Sequence, residues 1–282
     1  MSWLQVLVVA AAGTASMRAA FERGDVDEAA RQGALAGPAV VERALASPDR
    51  TTRLAAIAAA PIVEDRAELL GALARVAAGP DRRTAIPAAG AARAIARELA
   101  RRDRPDDLAP ADVAAWQAAW AAIALSADRW IELRITALET AAALDPAGIG
   151  VDLSAALRDP DPAFRRTAAA IAPVPVPPTA YTALADAVVH DVDPAAALEA
   201  AQSLCLSLAA SPPGPILGAL GPPGLARIRA LVTGPPPAAP ATAVRDAARC
   251  LAADRSPESA AALRSLPGPA AAPSRPPRTR RR

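Results

Sequence analysis

Residues 45–61, LASPDRTTRLAAIAAAP, are restated at 157–173 as LRDPDPAFRRTAAAIAP. Pro48, Asp49, Arg53, Ala56 and Pro61 return as Pro160, Asp161, Arg165, Ala168 and Pro173. Each copy places proline and aspartate in a turn and an arginine four residues after the aspartate. An alanine-rich apolar run follows and is closed by proline. That order is a helix start, one helix and a stop. An aspartate in such a turn accepts hydrogen bonds from the free amides of the next helix, and its charge suits the positive end of the helix dipole. An arginine one turn later can reach that aspartate or its counterpart in the neighbouring copy.

The aspartates set a period. Asp49 and Asp81 are 32 residues apart, as are Asp161 and Asp193, while Asp128 precedes Asp161 by 33 and is slightly out of register. The arginine column follows in part. Arg134 precedes Arg165 by 31 residues, and Arg245 opens a matching Arg-Asp-Ala-Ala. After Asp81 and Asp193 the arginine slot holds Ala85 and Ala197 instead. Internal similarity at this period marks paired-helix solenoids, in which hairpins too alanine-rich to fold alone bury their sides against one another.

DPDPAFRRTAAAIA at 159–172 and SPDRTTRLAAIAA at 47–59 resemble the HEAT-repeat family, in its short variety with an Asp-Pro-Asp turn and a following arginine. The resemblance extends from about Gly33 to Ala253. It implies an all-α fold, a right-handed superhelix of stacked antiparallel helix pairs with one concave face. Family members are mostly scaffolds, adaptors and regulatory subunits, so the resemblance specifies architecture and says little about chemistry.

Composition bounds the partners. Just over half of the 282 residues are apolar, chiefly alanine, and aromatics make up 2%. Such helices pack closely but bury little area per side chain, and burial stabilises by roughly 25 cal/mol per Å². Lysine and asparagine are both absent. Both have A-rich codons, so the arginines reflect base composition rather than selection for phosphate binding. A formal net charge of +2 offers little long-range steering.

The first 16 residues, MSWLQVLVVAAAGTAS, carry an apolar run followed by small residues at Gly13-Thr14-Ala15. The run fits a secretory signal and is too short to span a bilayer, although no basic residue precedes it. A signal peptide over 1–16 is the favoured reading, against an apolar helix capping the stack. It makes the protein periplasmic or secreted; without it the protein is cytoplasmic. The solenoid is expected over 17–266. A charged, proline-containing insertion at 101–112 is read as a solvated connector. Leu69, Leu70, Leu73 and Val76 fall at helical spacing as a buried stripe. Helices are also expected over 130–144, 194–208, 242–253 and 256–266, with stiff proline connectors at 173–178 and 234–240. The tail over 267–282, rich in proline and arginine, is expected to be disordered.

The search for chemistry returns no catalytic, cofactor-binding or metal-binding set. His190 is the sole histidine, beside Asp191, with no serine or cysteine nucleophile at motif spacing. Zinc sites lack ligands, and no phosphate loop, EF-hand or dinucleotide fingerprint occurs. Trp116 and Trp120 share a helix face and read as core rather than as a stacking platform. Cys205 and Cys250, the only thiols, form one disulfide if the chain is exported.

The expected function is a non-catalytic scaffold or adaptor that binds another protein. Two alternatives stand. HEAT-like lyases and DNA glycosylases exist, and Trp130 with Asp128 and Arg134 can be read as a glycosylase-type set. The arginines of the tail, Arg275 to Arg282, allow non-specific nucleic-acid binding, which the balanced charge disfavours. No small-molecule substrate or transmembrane span is evident.

Overall fold

Prolines and aspartates open most of the helices. In the computed structural model, which describes residues 3–101, 108–145, 150–234 and 241–266, the chain is helical and no strand occurs among the described residues. The tail, the centre of the charged insertion and most of the second proline connector lie outside the described residues. Fifteen α-helices follow in order: α1 Trp3–Glu22, α2 Val26–Ala36, α3 Pro38–Leu45, α4 Arg50–Ala59, α5 Leu70–Ala77, α6 Arg82–Arg101, α7 Pro110–Leu125 and α8 Ile131–Leu144. Then come α9 Gly150–Ala156, α10 Pro162–Ala170, α11 Pro178–His190, α12 Pro194–Leu206, α13 Pro213–Thr233, α14 Ala241–Asp254 and α15 Pro257–Ser265. Proline begins α3, α7, α10, α11, α12, α13 and α15, where its missing N–H costs nothing and its fixed φ suits the helix. Gly221, at φ +57°, kinks α13 just before Pro222 and Pro223.

The packing forms two ladders. Odd-numbered helices touch in succession from α1 to α15, and even-numbered helices do the same from α2 to α14. Each odd helix also packs on the even helix that follows it, so the described residues form a row of seven hairpins with α15 against the last. No described helix is long and apolar enough to cross a membrane.

Alanine builds the seam between ladders. Ala55, Ala56, Ala59, Ala85, Ala88, Ala89, Ala92, Ala137 and Ala141 are fully buried on consecutive even helices. Small side chains let the axes approach, and close packing supplies dispersion contacts that area alone does not. Leu69, Leu70 and Leu73 are buried, and the larger core volumes come from Trp120 and Phe164. Gly33 has the closest neighbours: a Cβ there would lie 2.2 Å from the Ala59 Cβ and 2.8 Å from the Met17 Sδ.

α1 continues through Gly13, Thr14 and Ala15 without a break. Gly13 faces Ala36, 2.8 Å from where its own Cβ would be, and Met17 and Ala20 are buried. The connector before α11 and the end of α10 are held by serines of α12 and the turn after it. The Val176 amide donates to Ser207 Oγ at 2.8 Å, and Ser203 Oγ donates to the Ala169 carbonyl at 2.8 Å.

Candidate functional site

The turn between the two helices of a hairpin is the recurring polar feature. Asp49 receives the Thr52 amide at 2.8 Å and the Thr52 hydroxyl at 2.6 Å. Asp161 receives the Ala163 and Phe164 amides, Asp193 the Ala195 amide, and Asp81 the Arg83 amide. These carboxylates satisfy amides that the helix leaves unpaired. The Thr52 hydroxyl and amide hold the Asp49 carboxyl below the usual range. Burial pushes Asp193 upward, but the Arg166 hydrogen bond and the Ala195 amide outweigh it, and the net shift is downward. Asp25 caps α2 in the same way, accepting from the Glu28 amide at 2.9 Å, although it lies off the period.

At three of the caps the residue two before completes the turn. Ser47 Oγ accepts from the Asp49 amide, Asp159 from the Asp161 amide at 2.9 Å, and Asp191 from the Asp193 amide at 2.9 Å. α8 is capped by Trp130, so Asp128 belongs to this preceding column with Asp159 and Asp191, and not to the cap column. That is the origin of its irregular spacing.

The arginines join one turn to the next. Arg53 donates to the Ser47 and Pro48 carbonyls at 2.7 and 2.8 Å, and Arg165 repeats the contact on Asp159 and Pro160 at 2.8 and 3.1 Å. The rest of each guanidinium reaches forward. Arg165 grips Asp191 with Nε and Nη2, both at 2.8 Å, which raises its pKa above the ordinary arginine value. Arg134 holds Asp159 with both Nη atoms, donates Nε to the Ala124 carbonyl at 2.9 Å and lies 4.3 Å from the centre of the Phe164 ring. Arg53 finds Gly79 at the corresponding position and reaches only Asp81, at 3.8 Å. Where Ala85 replaces arginine, Asp128 is exposed and lies 4.0 Å from Arg129. Arg245 is exposed on α14.

The two hairpins with alanine in the arginine slot are served from outside. Arg129 of the following hairpin donates to the Gly79 and Ala78 carbonyls at 3.1 and 2.7 Å. Arg227 of α13 donates to the Asp191 carbonyl at 3.3 Å. Neither arginine stands at the repeat register, which is why the period does not reveal them.

Elsewhere, Cys205 and Cys250 form a disulfide between α12 and α14. Trp120 is fully buried with its indole N–H unpaired, whereas Trp116 is half-buried with its indole edge over Gly71. Glu199 on α12 is partly buried, which pushes its carboxyl upward, against a smaller opposing effect of Arg166. His190 faces Asp186 at 2.8 Å and not its chain neighbour Asp191. Among the described residues no cluster of three or more His, Cys, Asp or Glu is arranged for a metal ion.

Two clefts open beside the turns. One, about 450 Å³, lies between α3 and α5 and includes Leu45, Ser47, Arg53, Arg75 and Asp81. The other, about 400 Å³, lies between α9 and α11 and includes Leu157, Asp159, Arg165, His190 and Asp191. Their shared positions are 112 residues apart from α3 to α9 and in the turns, and 111 apart along α5 and α11, so they are one feature presented twice. A third cleft, about 410 Å³, includes Trp116 with Asp65, Glu68 and Arg66.

Fold and turns together define a two-layer helical-repeat protein whose hairpins are joined through arginine-bound turns. No family model matches the chain, and no curated protein matches it.

Proposed function

We propose that this protein is a non-catalytic scaffold of the HEAT-like kind, a right-handed superhelix that binds another protein along its row of turns. The observation that carries this reading is the recurring junction in which an arginine bonds its own turn and the acid of the next. A row of stiff, like-built junctions offers a partner an extended and regularly spaced surface. On the glycosylase-type reading, Arg134 would face a ligand; instead its guanidinium is buried and engaged by Asp159, Ala124 and Phe164. The experiment is crosslinking of the intact chain in its native cells, followed by mass spectrometry. Crosslinks from the turn edges to one recurrent protein are expected, and crosslinks confined to other copies of the chain would count against it.

Export is part of the proposal, supported by the Cys205–Cys250 disulfide, since such bonds persist in oxidising compartments. The packing of Gly13 on Ala36 favours a second reading of the N-terminus, in which α1 stays as the cap of the stack. Sequencing the N-terminus of the protein from its native cells separates the two: a start near Met17 supports a cleaved leader, and a start at Met1 or Ser2 supports the cap.

A further inference from the structure

The sister clefts provide an internal comparison. In the α3–α5 cleft, Glu42 and Arg75 form an ion pair at 3.0 Å across the mouth. At the corresponding lining positions the α9–α11 cleft has Ser154 and Asp186, so this bar is missing. On the lining helix the first cleft presents Ala72, Arg75, Val76 and Gly79 and the second Ala183, Asp186, Ala187 and His190, so Ala46, Arg75 and Gly79 give way to Arg158, Asp186 and His190. In a chain this rich in alanine, three charged or polar replacements around one unbarred cleft are a local elaboration of the common plan.

The charges there are not equally available. Asp159 is held by Arg134, Asp191 by Arg165, and Asp186 faces His190. Arg158 is exposed and has no side-chain partner among the described residues. The uncommitted charge of the cleft is therefore positive. Beside it the wall is apolar, with Leu157 and Ala187 nearly buried and Val192 exposed by 87% at the rim. A guanidinium next to aliphatic surface is matched by a carboxylate flanked by apolar side chains.

We propose that the α9–α11 cleft receives an acidic segment of a partner polypeptide, with a carboxylate against Arg158 and a neighbouring aliphatic side chain against Val192. This rests on the scaffold reading above and supplies its contact point.

The test uses a fluorescein-labelled decapeptide with a central Val-Glu-Val in a Gly/Ser frame, its Val-Gln-Val twin, and inorganic phosphate as competitor. Binding to the full chain is followed by anisotropy. The variant R158A/D186A/H190A truncates the three side chains that distinguish this cleft, and R75A removes an arginine from the sister cleft. The glutamate peptide is expected to bind at least about tenfold more tightly than its twin, to lose about tenfold in the triple variant and to be unaffected by R75A. Circular dichroism confirms that the triple variant keeps its helices. Equal binding of the twin, unchanged binding by the folded triple variant, or no binding of the glutamate peptide overturns the proposal. Competition by phosphate as strong as that by unlabelled peptide also overturns it, because the cleft is then a small-anion site. If the triple variant still crosslinks to the native partner, the scaffold reading survives and this cleft does not.

Discussion

At the scale of the residue, burial ranks the arginines. Arg165 and Asp191 are 12% and 3% exposed at the side chain, and their contact is bidentate; Arg53 and Asp81 are 21% and 33% exposed and 3.8 Å apart. Removing one partner of a buried pair leaves the other charge without compensation, at roughly 3–5 kcal/mol, whereas a typical hydrogen bond contributes about 1 kcal/mol. Arg165→Ala is thus expected to lower stability by about 3 kcal/mol, and Arg53→Ala by about 1 kcal/mol, in equilibrium urea unfolding. Equal losses would mean that the shared carbonyl contacts dominate and the forward grip on Asp191 contributes little. Much of this was legible in the sequence, because Asp49, Arg53, Asp161 and Arg165 stand at one spacing in two copies. The roles of Asp159 and Asp191 were not, since an acid that receives its own turn amide and the previous arginine looks like any turn acid. Asp128 misled for the same reason: its column was visible, but the cap two residues later is a tryptophan.

At the scale of the element, glycine separates propensity from packing. Alanine is a better helix former than glycine by about 1 kcal/mol. Gly90 in α6 has open space where a Cβ would go, while Gly33 in α2 is enclosed by Ala59 and Met17. Gly90→Ala is therefore expected to stabilise by about 0.5–1 kcal/mol, and Gly33→Ala to destabilise by about 2 kcal/mol through overpacking. Paired thermal melts should shift in opposite directions; a rise in both would show that α2 can move away from α4 without loss. The helices themselves were readable from proline and aspartate starts, with ends within a few residues of those expected. Their partners were not, because alanine faces carry no label for the neighbour they meet.

At the scale of the molecule, a row in which each hairpin touches its neighbours has stability that varies along its length. The disulfide ties α12 to α14 across 45 residues of sequence. Replacing both cysteines by alanine is expected to cost roughly 2–4 kcal/mol. Hydrogen exchange should quicken over α12–α15 and remain unchanged over α3–α6. Uniform quickening would mean that the stack opens as a single unit.

The outside arginines give the row a direction. The α3–α4 turn is bonded by its own Arg53, but the α5–α6 turn depends on Arg129 from beyond it. The same alternation returns in α9–α12, with Arg165 inside and Arg227 beyond. A C-terminal truncation after α4 or α10 keeps the last turn's own donor, whereas one after α6 or α12 strips a donor from a hairpin it leaves intact. The pattern recurs six helices on, with the α7–α8 hairpin and its Arg134 between, so the natural module for insertion or deletion is six helices long.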